Sequence, residues 1–327
     1  MEESARLAMV DLGVHLRSIG YRFVTTTPES HRRVLGRTTD VLRRLLGWSQ
    51  TVAAEDVDEP VVDLLSRAGA LVREPGNESL VRSLVRFSTL DDLIFVHSAY
   101  PTSHSDAVFF GPDSYRFVRF LRSLGAAPRA IVDLCCGSGV GGIAASAWAE
   151  ANGNAAPLVY LTDINPLALD YARVNASINA SINSSGEPHR IKALKSDLLQ
   201  DVPGGVDLII ANPPFLMDDA LRAYRHGGEF LGSELSIKIV RSALNYLQPG
   251  GQLALYTGAC IVDGEDVFFR QIHPLLRSVR VSGRPNCEFN YEELDPDIFG
   301  EELGEPPYSN VERIAAVSLK VTINPAD

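Results

Sequence analysis

From Ala130 onward, short apolar runs alternate with longer stretches whose apolar positions recur at helical spacing. The runs are Ala130–Cys135, Leu158–Thr162, Val206–Ala211 and Gln252–Thr257, and helices are predicted near Gly139–Ala151, Pro166–Ile182 and Glu234–Leu247. Strands that are apolar on both faces and separated by helices predict a parallel sheet covered on both sides. Pro166 suits the first turn of a helix, Gly250-Gly251 closes another, and Ala315–Ile323 reads as a last strand. Before residue 130 the pattern is less regular. Ala5–Ser18 and Thr38–Leu46 are amphipathic, Pro60–Ala68 predicts a short helix, and Leu80–Ser88 and Asp92–Ser98 are β-like runs joined by Thr89-Leu90-Asp91. Helices followed by a hairpin predict a small winged-helix-like α/β domain. The chain divides into residues 1–100, helical with a β-hairpin, residues 101–129, a linker or lip with a leading helix, and residues 130–327, the α/β sheet domain.

Composition narrows the class. With 327 residues, 45% hydrophobic and 22% charged, the chain is a folded globular protein and no disordered or collagen-like one. Ser242–Val262 is free of charge and long enough to span a membrane, but Pro249-Gly250-Gly251 interrupts it, which predicts helix, turn and strand. Cys135, Cys136, Cys260 and Cys287 form no CxxC pair, so neither a zinc site nor a disulfide framework is expected. The acidic start Met1-Glu-Glu-Ser has no apolar signal core, and a reducing cytoplasm is the expected compartment.

The net charge of −11 is unevenly placed. Residues 1–129 carry 16 Arg, no Lys and 16 acids, whereas residues 130–327 carry 14 basic and 25 acidic side chains. Nine acids and no base lie between Pro285 and Glu312. Such a surface repels phosphate, and the basic stripe of a duplex binder is missing. The acidic run reads as a solvated loop or as a wall that favours a cationic acceptor. Arg32, Arg33, Arg37, Arg43 and Arg44 either solvate a helix face or meet an anionic partner.

Four segments carry candidate chemistry. Ile131-Val-Asp-Leu-Cys-Cys-Gly-Ser-Gly139 is a buried strand ending in a glycine turn that opens a helix. Gly137, Gly139 and Gly142 spell G-x-G-x-x-G, but Asp133 just before them suits a cationic amino group better than a pyrophosphate. Leu161-Thr-Asp-Ile-Asn-Pro166 puts Asp163 at the end of the next strand, where an acid takes ribose hydroxyls. That feature fits NAD and S-adenosylmethionine equally. Lys195-Ser-Asp-Leu198 offers Asp197 to an adenine amino group with Leu198 beside the ring, although each of these acids also suits a helix cap. The fourth segment, Val206-Asp-Leu-Ile-Ile-Ala-Asn-Pro-Pro-Phe215, discriminates. The Asn212 side-chain oxygen and the Pro213 carbonyl form an acceptor pair on a backbone stiffened by Pro213 and Pro214. Such a pair grips the two N–H groups of a planar amino nitrogen, and Phe215 offers a stacking face. An NAD-dependent oxidoreductase has no use for it.

With these motifs together, residues 130–323 resemble a class I S-adenosylmethionine-dependent methyltransferase. They are most similar to the small-domain amino-methyltransferases, which include the release-factor glutamine N5- and ribosomal RNA guanine N2-methyltransferases and share N-P-P-[YF] with adenine N6-methyltransferases. The resemblance implies a Rossmann-like seven-stranded sheet with its last strand antiparallel. It implies that Asp133, Cys136, Gly137, Ser138 and Gly139 border the methionine part of the cofactor, that Asp163 holds the ribose and Ile164 the adenine, and that Asp197 and Leu198 hold the adenine. Asn212, Pro213 and Pro214 then orient the target nitrogen and Phe215 packs on the acceptor. Phe109–Tyr115 becomes a lip, with Phe110 and Tyr115 as substrate candidates. His226, which follows the catalytic loop, is a further one; the other six histidines fall in no motif. The implied reaction is N-methylation by positioning and electrostatics, with no strong base. A protein glutamine amide or a small amino-acid or guanidine-type molecule such as arginine is the expected acceptor, with residues 1–100 as its recognition domain. An rRNA or tRNA base (guanine N2 or adenine N6) is the alternative, disfavoured by the acidic charge, and no membrane partner is expected.

Overall fold

The structure, a computed structural model, describes residues 1–125, 128–180, 190–278 and 287–324. The N-terminal part begins with α1 (Glu3–Ser18) and α2 (Pro28–Val34), followed by β1 (Val52–Ala53), α3 (Glu59–Arg67), β2 (Leu71–Glu74) and β3 (Asn77–Ser83). The three strands form one antiparallel sheet in the order β1–β3–β2. A separate hairpin follows, β4 (Val85–Leu90) with β5 (Leu93–Ser98).

Two expectations need correction here. The run Leu80–Ser88 is two strands, broken at the exposed Leu84, so that β3 pairs within the small sheet while β4 pairs with β5. The amphipathic helix expected over Thr38–Leu46 is shorter, with Val41 and Leu42 α-helical and Arg43–Gly47 a π-helical turn. Its start is capped by Asp40, whose Oδ1 accepts the Arg43 N–H at 2.8 Å. At its end a Cβ on Gly47 would come within 2.4 Å of the Phe23 ring, a close approach that only glycine permits. α2 went unread, although Thr27 accepts the Ser30 N–H and Pro28 occupies the first turn.

The second half follows its apolar pattern closely. α4 (Pro112–Ser123), β6 (Ala130–Leu134), α5 (Val140–Ala151), β7 (Leu158–Asp163), α6 (Pro166–Ala180), β8 (Ile191–Lys195) and β9 (Leu208–Ala211) come first. Then come α7 (Glu234–Tyr246), β10 (Gln252–Val262), β11 (Glu265–Asp266), α8 (Val267–Ser278), β12 (Cys287–Asp295) and β13 (Arg313–Ile323). Seven strands run in the order β12–β13–β10–β9–β6–β7–β8, with the short β11 folded back on β10. β13, the last strand, is antiparallel to both of its neighbours, and the other pairings along β10, β9, β6, β7 and β8 are parallel.

The first part of the acidic run is no loop. Cys287–Asp295 is the edge strand β12, with Phe289 and Tyr291 turned inward and Glu288, Asn290 and Glu292 outward. Carboxylates on an edge strand keep it from pairing with another chain. Separate apolar cores fill the two faces of the large sheet, one including Phe117, Leu161 and Tyr256, the other Ile209, Ile239 and Phe268. A third core holds the N-terminal part together and takes in Ala168, Tyr171, Val174 and Ile178 of α6.

Candidate active site

Register brings the four candidate segments to one edge of the sheet. Leu134 is paired with Ala211 on one side and with Thr162 on the other, and Asp163 is paired with Lys195. The turns after β6, β7, β8 and β9 therefore leave from one level. They leave at the point where successive strands change direction across the sheet, β7 and β8 lying to one side of β6 and β9 and β10 to the other. This is where open α/β sheets form ligand crevices. A cavity lies there, lined among others by Asp133, Cys136, Gly137, Ser138, Asp163, Ile164, Asp197, Leu198, Asn212 and Pro214.

The glycines of the turn divide the work. A Cβ on Gly137, at φ +52°, would meet nothing nearer than Val108 at 4.0 Å, so this residue keeps the turn open to the cavity. A Cβ on Gly139 would come within 2.9 Å of Leu161, and one on Gly142 within 2.6 Å of the same side chain. These two let α5 lie against β7, and Gly139 does not reach the cavity wall.

Asp163 is oriented by the backbone. Its Oδ2 accepts the Gly137 N–H at 3.0 Å and its Oδ1 the Asn165 N–H at 2.9 Å, leaving part of its acceptor capacity free. Asp133 is buried, and its Oδ2 accepts the Gly142 N–H at 2.8 Å. Burial pushes its carboxyl up to about 7; the Gly142 N–H opposes that and the charge of Asp163 adds to it. Burial likewise raises the Asp163 carboxyl. Two further features mark the cavity as built for a ligand. The buried Ser138 hydroxyl has no hydrogen-bond partner among the described residues, and Ile164 leaves 60% of its surface exposed.

The Asn212–Phe215 segment is fixed from behind. Phe215 is buried at the rear of the loop, edge-on to Phe299 at 5.7 Å, and a Cβ on Gly258 would come within 2.3 Å of its ring. It is no part of the cavity wall, because its ring fills the space that Gly258 of β10 leaves behind the loop. Pro213 is also buried, between Asn212 and Pro214 on the wall. The loop then folds back on itself through Leu216 and Gly227, and the Tyr308 hydroxyl accepts the Met217 N–H at 2.7 Å. His226 belongs to that return. Its Nδ1 accepts the Asp218 N–H at 3.3 Å, and it does not line the cavity.

Phe110 and Tyr115 do not line this cavity, although Phe110 lines the neighbouring one. Phe110 stacks on Phe95 and His97, and the Tyr115 hydroxyl bonds the backbone of Thr25 and Thr89. Their neighbour Phe109 is the lip residue on the wall, stacked on Tyr224 at 5.8 Å and 8°. The lip is tied down by Asn165, which donates to the Asp106 carbonyl, and by Ala223, which donates to that of Ser105. Phe109, Asn165 and Tyr224 went unread because a lip conformation gives no period that says which of two adjacent aromatics turns inward. Among the described residues no group of His, Cys, Asp and Glu side chains could hold a metal ion, no two cysteines are joined in a disulfide, and no helix is long and apolar enough to cross a membrane. The N-terminal arginines are largely compensated locally: Arg32 and Arg33 pair with Glu29, and Arg43 with Asp40.

Comparison with known proteins finds relatives for the sheet domain. Residues 117–260 match the family model of the methyltransferase small domain. A protein of Methanocaldococcus jannaschii, provisionally named a protein N5-glutamine methyltransferase, is 32% identical over 139 residues, covering 40% of this chain and 64% of its own. The release factor glutamine methyltransferase of Cereibacter sphaeroides is 35% identical over 145 residues, 39% of this chain and 46% of its own. The ribosomal RNA small subunit methyltransferase C of Hahella chejuensis is 33% identical over 128 residues, 39% of this chain and 30% of its own. The chain thus spans from under a third to just under two thirds of the length of these relatives.

Proposed function

We propose that this chain, whose residues 117–260 match the methyltransferase small domain, uses S-adenosylmethionine for N-methyl transfer to a planar amino, amide or guanidine nitrogen. When bound, the cofactor supplies a sulfonium methyl group, the electrophile of the reaction. The chain's own residues fit it. Gly137 leaves room at the turn, Ser138 has an unused hydroxyl, Asp163 is held with acceptor capacity to spare for two hydroxyls, and Ile164 is an exposed apolar face for a base. Asp197 and Leu198 line the same wall beyond Ile164. Asp133 supplies a carboxyl that a cationic amino group would return to its charged form.

Asn212 and Pro213 hold the acceptor. The Asn212 side-chain oxygen and the Pro213 carbonyl accept the two N–H groups of one planar nitrogen and leave its third direction free. Accepting those bonds moves electron density onto a nitrogen whose lone pair is otherwise conjugated, and it fixes the angle of approach. Phe215 acts through the loop: wedged on Gly258, it holds Asn212 and Pro214 at the wall. The observation that carries this reading is the Leu134–Ala211 register, which sets Asn212 beside the glycine turn. The glutamine N5-methyltransferase names of two relatives support an amide-type nitrogen.

The reading is tested with Asn212→Ala. Methyl transfer from radiolabelled S-adenosylmethionine is expected to fall by at least about 100-fold, the scale of a lost preorganised polar contact, while S-adenosylhomocysteine binds as before. Unchanged turnover in that variant would show that Asn212 does not position the nitrogen.

A further inference from the structure

A second cavity of about 520 Å³ adjoins the first. Phe109 and Tyr224 belong to both walls. Its inner side is the β4–β5 hairpin and its outer side the segment around Asp297–Glu302. Arg86 of β4 lines it and is only 4% exposed. The Arg86 Nε donates to the Gly47 carbonyl at 2.7 Å and its guanidinium lies 5.4 Å from the Phe23 ring centre, but its Nη2 has no hydrogen-bond partner among the described residues.

Two other arginines line the same cavity, and both are neutralised. Arg116 pairs with Asp113 and Asp295, and Arg225 with Asp218 and Glu302. Arg86 pairs with no carboxylate among the described residues. Its ionisable neighbours are the phenols of Tyr21, Tyr100 and Tyr115, and the buried His31 and His97, which burial and Arg86 itself hold below their ordinary pKa and therefore uncharged. A guanidinium taken out of water without an anion is unfavourable, and a bound anion with paired oxygens would relieve that.

We propose that this second cavity is the acceptor site, that its occupant is a small molecule carrying a carboxylate, and that Arg86 binds that carboxylate. The proposal rests on the methyltransferase reading above. Three features select the class. The cavity has the volume of a small-molecule site, and the cation lies at its inner wall, out of reach of a folded surface. Asp297 and Glu301, both exposed, line the opposite side, and they repel a polyanion such as RNA while suiting a neutral or cationic group. Phe109 and Tyr224 are shared by this cavity and the first, and Asn212 is on the wall of the first. An amino acid with a planar side-chain nitrogen has this distribution of charge.

The test is transfer of a tritiated methyl group from S-adenosylmethionine into a cell extract, afterwards split into small-molecule, protein and RNA fractions. It is run with the full chain and with Arg86→Gln and Arg86→Lys, and S-adenosylhomocysteine binding to each is measured by calorimetry. The expected label is in a small molecule with a carboxyl group. With that compound purified, Arg86→Gln raises KM about 10- to 100-fold, the effect of losing one charge-assisted pair, and leaves kcat within about threefold. Arg86→Lys recovers part of the loss, and the carboxamide of the same compound is no better a substrate for wild type than the acid is for Arg86→Gln. Absence of label from the small-molecule fraction, a labelled product without a carboxyl group, or an unchanged KM in Arg86→Gln overturns the proposal. A wild-type chain that fails to bind S-adenosylhomocysteine overturns the methyltransferase reading itself.

Discussion

Asp133 is a carboxyl whose surroundings make a measurable demand. It is buried, and its pKa is pushed up to about 7, above an unfolded value of 3.8. Between these two values the folded chain holds a proton that the unfolded chain releases. The contribution of this group to stability is therefore complete below about pH 4 and is lost as the pH rises through 7. About three pKa units correspond to about 4 kcal/mol. Urea midpoints followed from pH 4 to 8 without cofactor are expected to fall more steeply in the wild type than in Asp133→Asn, which keeps an acceptor for the Gly142 N–H. Parallel curves would mean that Asp133 titrates normally. Phe215 teaches a different lesson at the same scale. Its aromatic character was legible and invited a stacking role, but Gly258 leaves room behind the loop, and the ring fills it.

At the scale of the element, α5 and its turn separate packing from binding. Alanine at Gly142 drives a methyl group to within 2.6 Å of Leu161 and 2.7 Å of Val159. The expected loss of stability is about 1–3 kcal/mol from overpacking. Alanine at Gly137 meets open space and pays only for its left-handed backbone, about 1–2 kcal/mol, but its methyl group enters the cavity. S-Adenosylhomocysteine affinity is expected to drop at least tenfold in Gly137→Ala and to change little in whatever fraction of Gly142→Ala is folded. Calorimetry beside thermal unfolding reads both. Equal losses of affinity in the two variants would mean that the G-x-G-x-x-G pattern acts as a unit.

For the whole molecule, α6 joins the N-terminal part to the candidate active site. Asn175 is fully buried. Its Oδ1 accepts the Val96 N–H at 2.7 Å, and its Nδ2 donates to the carbonyls of Val96 at 3.0 Å and Ser138 at 2.9 Å. Asn179 repeats the arrangement one turn on, with Ile94. One side chain therefore ties the β4–β5 hairpin, which carries Arg86, to the glycine turn. Asn175→Ala strands buried backbone groups, and the expected loss is about 3 kcal/mol in urea unfolding, together with weaker S-adenosylhomocysteine binding. Loss of stability with full affinity would show that the turn keeps its shape without the hairpin.

The sequence by itself determined the main strands and helices between Ala130 and Thr257, the last strand, and ten of the cavity-lining residues. A strand buried on both faces must be apolar throughout, and the turn that follows it must carry its chemistry in a few consecutive residues such as Asp163-Ile164 or Asn212-Pro-Pro. Its departures from the structure have physical causes of their own. β12 was hidden because an exposed edge strand is as acidic as a loop, and the π-helical turn at Arg43–Gly47 because a ring from Phe23 sets it. Only the tertiary structure decided that Phe109 and not Phe110 faces the cavity at the glycine turn, that Phe215 and His226 hold the loop from behind, and that Arg86 has no counter-ion among the described residues beside a second cavity, which Phe110 lines. Each of those depends on which distant residues fill the space around a side chain, and hydrophobic periodicity carries no information about that.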